Sequence, residues 1–378
     1  MKTKIILVVI IALFILGSAE SVQAEEVDTL QQELDYSELD SFMEETAYRD
    51  KVTFSDVVDS FLGQGGTVID YELVFEWGKD AFFYEVEQNR KLLMEILVLV
   101  FAFSMLYHFA GILEKPYFTD ISFILFYCIL VVLLLQSLVI MSGVVTDTLG
   151  KNIDFIRAFV PTYCFTMVFS SNVGSSVGFY QLSFFLIYVI QYLFQNFLVA
   201  LIHVYVLMEL LSHFFEEERF EGMAELLSHF VEWCLKLVWG IVLGLNVVQN
   251  LIAPVKDKLM GGVVQKAVSV IPGIGNAVNG ITEMLIGSGI LLKNCVGAAG
   301  VVLLILVCFL PMMQIGCMSV FYKVAGALVQ PVADKRIYGC LKGVANGGML
   351  YLKTIGTSVL LFILTIALTT AATSFFAY

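Results

Sequence analysis

The sequence predicts an all-α polytopic membrane protein with about seven to nine transmembrane or broken helices, interfacial amphipathic helices and a short acidic extracytoplasmic N-terminal segment. Three observations carry this. The 378 residues are 59% hydrophobic and only 15% charged, with a mean hydropathy of +0.86, which leaves too little polar surface to wrap a soluble domain. Many apolar stretches are long enough to cross about 30 Å of hydrocarbon. At that length they must close their backbone hydrogen bonds internally as helices, since barrel strands need only about ten residues.

The net charge of −13 is concentrated in one place. Residues 25–89 hold 18 acids against Arg49, Lys51 and Lys79, a local charge of −15 that leaves the remainder at +2. An acidic segment repels nucleic acid and anionic headgroups. It is no obstacle to export, because acids weigh little in translocation.

Along the chain, Lys2 and Lys4 precede an apolar run at 5–17, and Val22-Gln23-Ala24 sets small residues before Glu25. This pattern predicts a signal peptide over 1–24, cut after Ala24; an uncleaved anchor is the alternative. Residues 25–90 form the acidic segment. In it Leu30, Leu34, Phe54, Val57, Val58 and Phe61 recur at helical spacing, and a Gly-Gln-Gly-Gly run at 63–66 interrupts the pattern. Residues 68–86 mix aromatics with acids and read as a surface helix or a lead-in to the first span.

The polytopic domain covers 91–378. Its spans are predicted at 92–113, 121–144, 182–211, 235–252, 290–310, 312–329 and 355–372, with a shorter apolar stretch at 155–169. Three breaks are expected, at Pro161, Pro272 and Pro311, because proline removes a helical donor and crowds the preceding turn. Gln195-Asn196 interrupts 182–211. Whether 155–169, 182–211 and 290–329 are single, broken or paired helices is open at this stage. Segments 216–233 and 263–285 are amphipathic and suit the membrane interface.

Basic residues in short loops set orientation. Lys256, Lys258 and Lys266 share one loop; Lys335, Arg336, Lys342 and Lys353 share another. The simplest fit places both in the cytoplasm, with the acidic loop at 216–225 and the N-terminus outside. A weak internal repeat, about 155–252 against 263–378, is suggested by Arg219-Phe-Glu-Gly222 and Arg336-Ile-Tyr-Gly339.

Seven cysteines lie in or beside apolar segments, without a CxxC pair, and read as buried thiols. The Gly240/Gly244 pair and the Gly339/Gly343/Gly347 series have the four-residue spacing of close helix contact. That contact is either within the chain or an oligomer seam. Among charged groups in spans, Glu95 and Lys293 sit near predicted helix ends, where a long side chain snorkels. His203 and Lys323 sit deeper and, with Gln195 and Asn196, are the candidates for a polar path. No Walker lysine, HExxH, nucleophile elbow or metal-spaced His/Cys cluster is present, so the expectation is a protein with no enzymatic activity, cofactor or metal.

Two stretches carry a family resemblance: Ser-Gly-Ile-Leu-Leu-Lys-Asn-Cys-Val-Gly at 288–297 and Phe-Tyr-Lys-Val-Ala-Gly-Ala-Leu-Val-Gln-Pro at 321–331. With the order of parts, they resemble the stage III sporulation protein AE family. The resemblance implies a permease-like subunit of a multiprotein, secretion-like channel between mother cell and forespore, needed for late forespore development. It implies residence in the mother-cell membrane around the forespore. It also implies partners: the other stage III sporulation A-operon proteins, including an ATPase and ring-forming subunits, and stage II Q or its replacement on the forespore side. The acidic loop at 216–225 departs from the family pattern. Two other readings stay open, a stand-alone secondary transporter with two repeats and a non-conducting scaffold, as does homo-oligomerisation.

Overall fold

The computed structural model describes residues 34–45, 53–62, 116–170, 177–214, 220–268, 275–331 and 334–375, with scattered helical positions between 79 and 105. The signal peptide, residues 63–66, Pro272 and much of the expected span at 92–113 lie outside the described residues.

Two short helices come first, α1 (Ser37–Glu45) and α2 (Phe54–Leu62). The α2 start is a reciprocal cap: Thr53 Oγ1 accepts the Asp56 N–H at 3.1 Å while the Asp56 carboxylate accepts the Thr53 N–H at 2.9 Å. The apolar periodicity of the acidic segment becomes a buried stripe of Phe54, Val57 and Val58, with Phe61 left exposed. Asp40 ties the two helices by accepting the Phe54 N–H at 2.7 Å.

Then come the long helices: α3 (Pro116–Phe169), α4 (Val177–Leu193) running through a π-helical turn (Phe194–Leu198) into α5 (Val199–Phe214), α6 (Glu221–Val268), α7 (Gly275–Val329) and α8 (Lys335–Phe375). Side-chain contacts fix their directions. Near the start of α3, Tyr127 donates to the Leu210 carbonyl and meets Cys340 Sγ at 3.0 Å, and the Arg336 guanidinium stands 4.3 Å from the Phe123 ring centroid. One end of the bundle therefore gathers the start of α3, the end of α5 and the start of α8. At the far end, Tyr163 meets Thr370 at 2.7 Å, Ser183 donates to Gln249, and Phe155 and Phe159 meet Phe362 edge to face. The long helices thus alternate in direction. The α1–α2 pair docks at this far end, where Phe42 meets Phe155 ring to ring and Thr162 reaches the Asp35 carbonyl.

Among the described residues, five helical stretches are long and apolar enough to cross a membrane: Ile121–Val168, Tyr180–Phe214, Glu221–Gln249, Gly287–Val329 and Lys335–Ala371. The α7–α8 pair is central: 61% and 67% of their most apolar windows are buried, against 22% to 39% in the others. This membrane class agrees with the sequence reading.

The expected breaks at Pro161 and Pro311 are not breaks. Both prolines lie inside continuous helices, α3 and α7. An internal proline costs about 3 kcal/mol. Around Pro161 the rings of Phe155, Phe159, Tyr163, Phe184 and Phe362 form six close pairs. At about 0.5–1.5 kcal/mol per pair, they outweigh that cost. The stretches at 121–144 and 155–169 are therefore one helix, as are those at 290–310 and 312–329.

Continuity through Pro311 also corrects the loop assignment. A single helix separates the two basic clusters, so α6 carries Lys256, Lys258 and Lys266 past Gln249 at the far end, while Lys335 and Arg336 sit at the opposite end. The start of α6, beside the acidic run at 216–225, shares the end that holds Lys335 and Arg336.

Candidate functional site

The helix α3 is apolar outward over its first half, exposing Ile121, Ile124, Leu125, Ile129, Val132, Val139 and Ile140. From Asp147 to Arg157 the outward face is polar, and Phe165 and Val168 return it to apolar. Asp147, Lys151, Asp154 and Arg157 follow one another at spacings of three and four, which place them on one face. The acids and bases pair within the helix: Lys151 Nζ lies 3.0 Å from Asp147, and Arg157 lies 3.3 Å from Asp154 while donating to the Tyr188 hydroxyl at 2.8 Å.

This face forms one wall of an open groove of about 640 Å³, lined by Ser142, Gly143, Thr146, Asp147, Lys151 and Asp154 of α3 and by Gln195 and His203 across from them. Gln195 is turned toward α3 by the π-helical turn, and its amide donates to the Thr146 carbonyl at 3.1 Å. His203 Nδ1 meets the Tyr351 hydroxyl of α8 at 3.1 Å, so the ring is held from behind.

The depth of the groove is what sets it apart. Thr146 lies level with Gln195, whose neighbours Tyr192, Leu193 and Phe197 are exposed apolar side chains. Asn152 lies level with Cys308, whose neighbours Ile305, Phe309 and Leu310 are exposed too. At this depth, then, α4, the π-helical turn and α7 present apolar faces and α3 presents charges, while α6 and α8 carry one ion pair, Glu232 with Lys353 at 2.6 Å. A charge at the centre of a span costs about 2.5–3.5 kcal/mol on insertion scales. Pairing lowers that cost without removing it, so the face is suited to water or to polar protein surface rather than acyl chains.

Behind the groove the core is polar in a different way. Asn152 accepts from Cys308 Sγ at 3.0 Å and donates to Ser358 Oγ at 3.1 Å, and Ser358 donates to Gln191 at 2.6 Å. This satisfied relay joins α3, α4, α7 and α8, which holds the groove wall rigid.

Of the four residues expected on a polar path, the structure brings two together, Gln195 and His203. Asn196 points outward, its amide donating to the Tyr192 carbonyl, and Lys323 is exposed on α7 outside the groove. Lys293 does not snorkel. It sits 18 residues inside α7 at 0% exposure, because the helix begins earlier than expected, at Gly275. A Cβ on Gly339, Gly343 or Gly347 would strike His213, Glu209 or Val206 of α5, so this seam is contact within the chain. Gly240 and Gly244 have nothing within 4 Å of such a Cβ. The charged face of α3 falls between the apolar stretches at 121–144 and 155–169 that the sequence marks. Its signal was present in the three-and-four spacing of Asp147, Lys151, Asp154 and Arg157.

Comparison with known proteins places the chain. The profile of the stage III sporulation protein AE family matches residues 52–373. The chain belongs to the stage III sporulation protein AE family. The family member of Bacillus subtilis (strain 168), stage III sporulation protein AE, is 25% identical over 299 residues, covering 77% of this chain and 74% of that protein. No solved structure matches. Membership ties the chain to sporulation and accounts for the two family stretches. The first lies in the buried part of α7 and the second runs from α7 into the turn before α8.

Proposed function

We propose that this chain is a non-enzymatic, membrane-embedded subunit of a multiprotein channel joining mother cell and forespore, with the groove on α3 contributing to the wall of a polar path. The observation that supports it is the charged face of α3 at a depth where α4 and α7 present apolar side chains. Its partners in this reading are the other stage III A-operon proteins, among them an ATPase and ring-forming subunits, and stage II Q or its replacement. The membrane is that of the mother cell around the forespore. In this reading the acidic segment is exported, so the end where α1–α2 dock is extracytoplasmic with Lys256, Lys258 and Lys266, and Lys335 and Arg336 are cytoplasmic; the two basic clusters therefore do not set the orientation by themselves.

The test is a strain in which Asp147→Leu and Asp154→Leu replace both groove acids. Engulfment should proceed while late forespore gene expression falls at least about tenfold, with the protein still inserted. Normal late expression from that inserted variant would refute the reading.

A second reading, the two-repeat transporter, has its own support. The π-helical turn begins at Phe194 and Pro311 lies 117 residues later, the same separation as Arg219 and Arg336. The helices bearing these two features, α4–α5 and α7, run in the same direction, as parallel repeats would. Solute uptake by the purified chain alone in liposomes, without partners, would favour it over the channel subunit.

A further inference from the structure

We propose that the groove on α3 is closed by the same groove of a second copy of this chain, the two α3 helices lying side by side about an axis normal to the membrane. The proposal rests on the depth of the charged face established above and names the occupant of that face. Left open, Asp147, Lys151, Asp154 and Arg157 would meet hydrocarbon, which they are not built for.

Three features select a copy of the chain itself. The first is the order of charge: acid, base, acid, base along one face. Copies inserted in one orientation meet with α3 parallel. In parallel packing a side chain faces its counterpart and positions three to five residues away, as flanking charges do in coiled coils. Asp147 then reaches the partner's Lys151, and Asp154 reaches the partner's Arg157. The pattern complements itself, and net charge across the seam is zero. The second is space. A Cβ built on the exposed Gly143 meets nothing within 4 Å, and Gly143 stands one turn before Asp147 on the same face. Small residues let helix backbones approach within a bilayer. The third is exposure: the Asp147, Asp154 and Arg157 side chains remain 68%, 62% and 61% accessible, so their pairing within α3 leaves most of each group free for a partner.

The experiment uses the full chain in membrane vesicles. Gly143→Cys places a thiol on the seam, and oxidation or a short bis-maleimide should give a dimer band. The native protein, whose exposed Cys128 lies on the apolar half of α3, serves as control and should stay monomeric. Adding Asp147→Lys should cut the dimer at least about tenfold by setting base against base. Adding Lys151→Asp to that variant should restore it. Three results overturn the proposal: no dimer from folded Gly143→Cys protein, an equal dimer from the native chain, or cross-linking only to a different protein in sporulating cells. Dimers formed by a chain whose groove substitutions leave sporulation untouched would sink the channel reading and keep this one. Sporulation loss without any dimer would do the reverse.

Discussion

The Gly339, Gly343 and Gly347 series shows how one atom sets a helix contact. Each lacks the Cβ that would collide with His213, Glu209 or Val206, and so α8 lies close against α5. Gly343→Val should therefore destabilise by about 1–3 kcal/mol through overpacking, seen as a lower thermal midpoint in detergent. Gly240→Val, whose Cβ meets nothing, should change stability by less than about 0.5 kcal/mol. The four-residue spacing was legible in the sequence; the choice between a contact within the chain and one between chains was not. Spacing alone names no neighbour. In the acidic segment, Asp35 is held below the usual aspartate range by the Ser37 hydroxyl and backbone N–H. Burial raises the Tyr36 hydroxyl well above its ordinary value, with Asp59, Cys295 and Asp40 adding to it. A raised phenol keeps its proton when folded, so its contribution is complete below about pH 10 and is lost as pH climbs beyond. Proteolysis of α1–α2 should accelerate above that pH in the native chain, and Tyr36→Phe should remove the acceleration.

At the scale of the element, continuity is the main finding. At about 1.5 Å per residue, the 54 residues of α3 and the 55 of α7 extend to roughly 80 Å, well past the hydrocarbon thickness. Apolar length and composition are legible in the sequence, whereas a proline there marks a break that these two helices do not make. The cost of proline is local, while at Pro161 the ring packing that offsets it joins Phe155, Phe159 and Tyr163 of the same helix to Phe184 and Phe362 from distant parts of the chain. Pro311→Ala should preserve the fold and raise thermal stability by at most about 3 kcal/mol, since it restores a backbone donor to an already continuous helix. The Gln195-Asn196 interruption is real but mild. It is one π-helical turn, which aims Gln195 at Thr146 and leaves Asn196 outside.

For the whole molecule, the alternating directions of α3 to α8 put both loop clusters in fixed places. A membrane-impermeant maleimide applied to intact protoplasts should label Ser41→Cys and leave Lys335→Cys untouched; the opposite result would invert the orientation proposed above. The sequence supplied the membrane class, the acidic segment and half of the groove, through Gln195 and His203. It did not supply Tyr351, which lies 148 residues from His203, nor the fact that the charged face of α3 stands level with apolar faces of its neighbours. Depth is a property of packed helices, and no single span carries it.

The uneven apolar belt also bears on the lipid. On α3 its outward face is interrupted by charges between Ile140 and Phe165, whereas on α4 it runs unbroken through Leu193, Tyr192, Phe185 and Leu182, so the bilayer meets charge on one flank and not on the other. Beside α3 the leaflet must deform to bring water to those charges, at an elastic cost. That elastic cost falls when the flank is covered. The membrane itself then favours assembly, and a thicker bilayer should favour it more than a thin one.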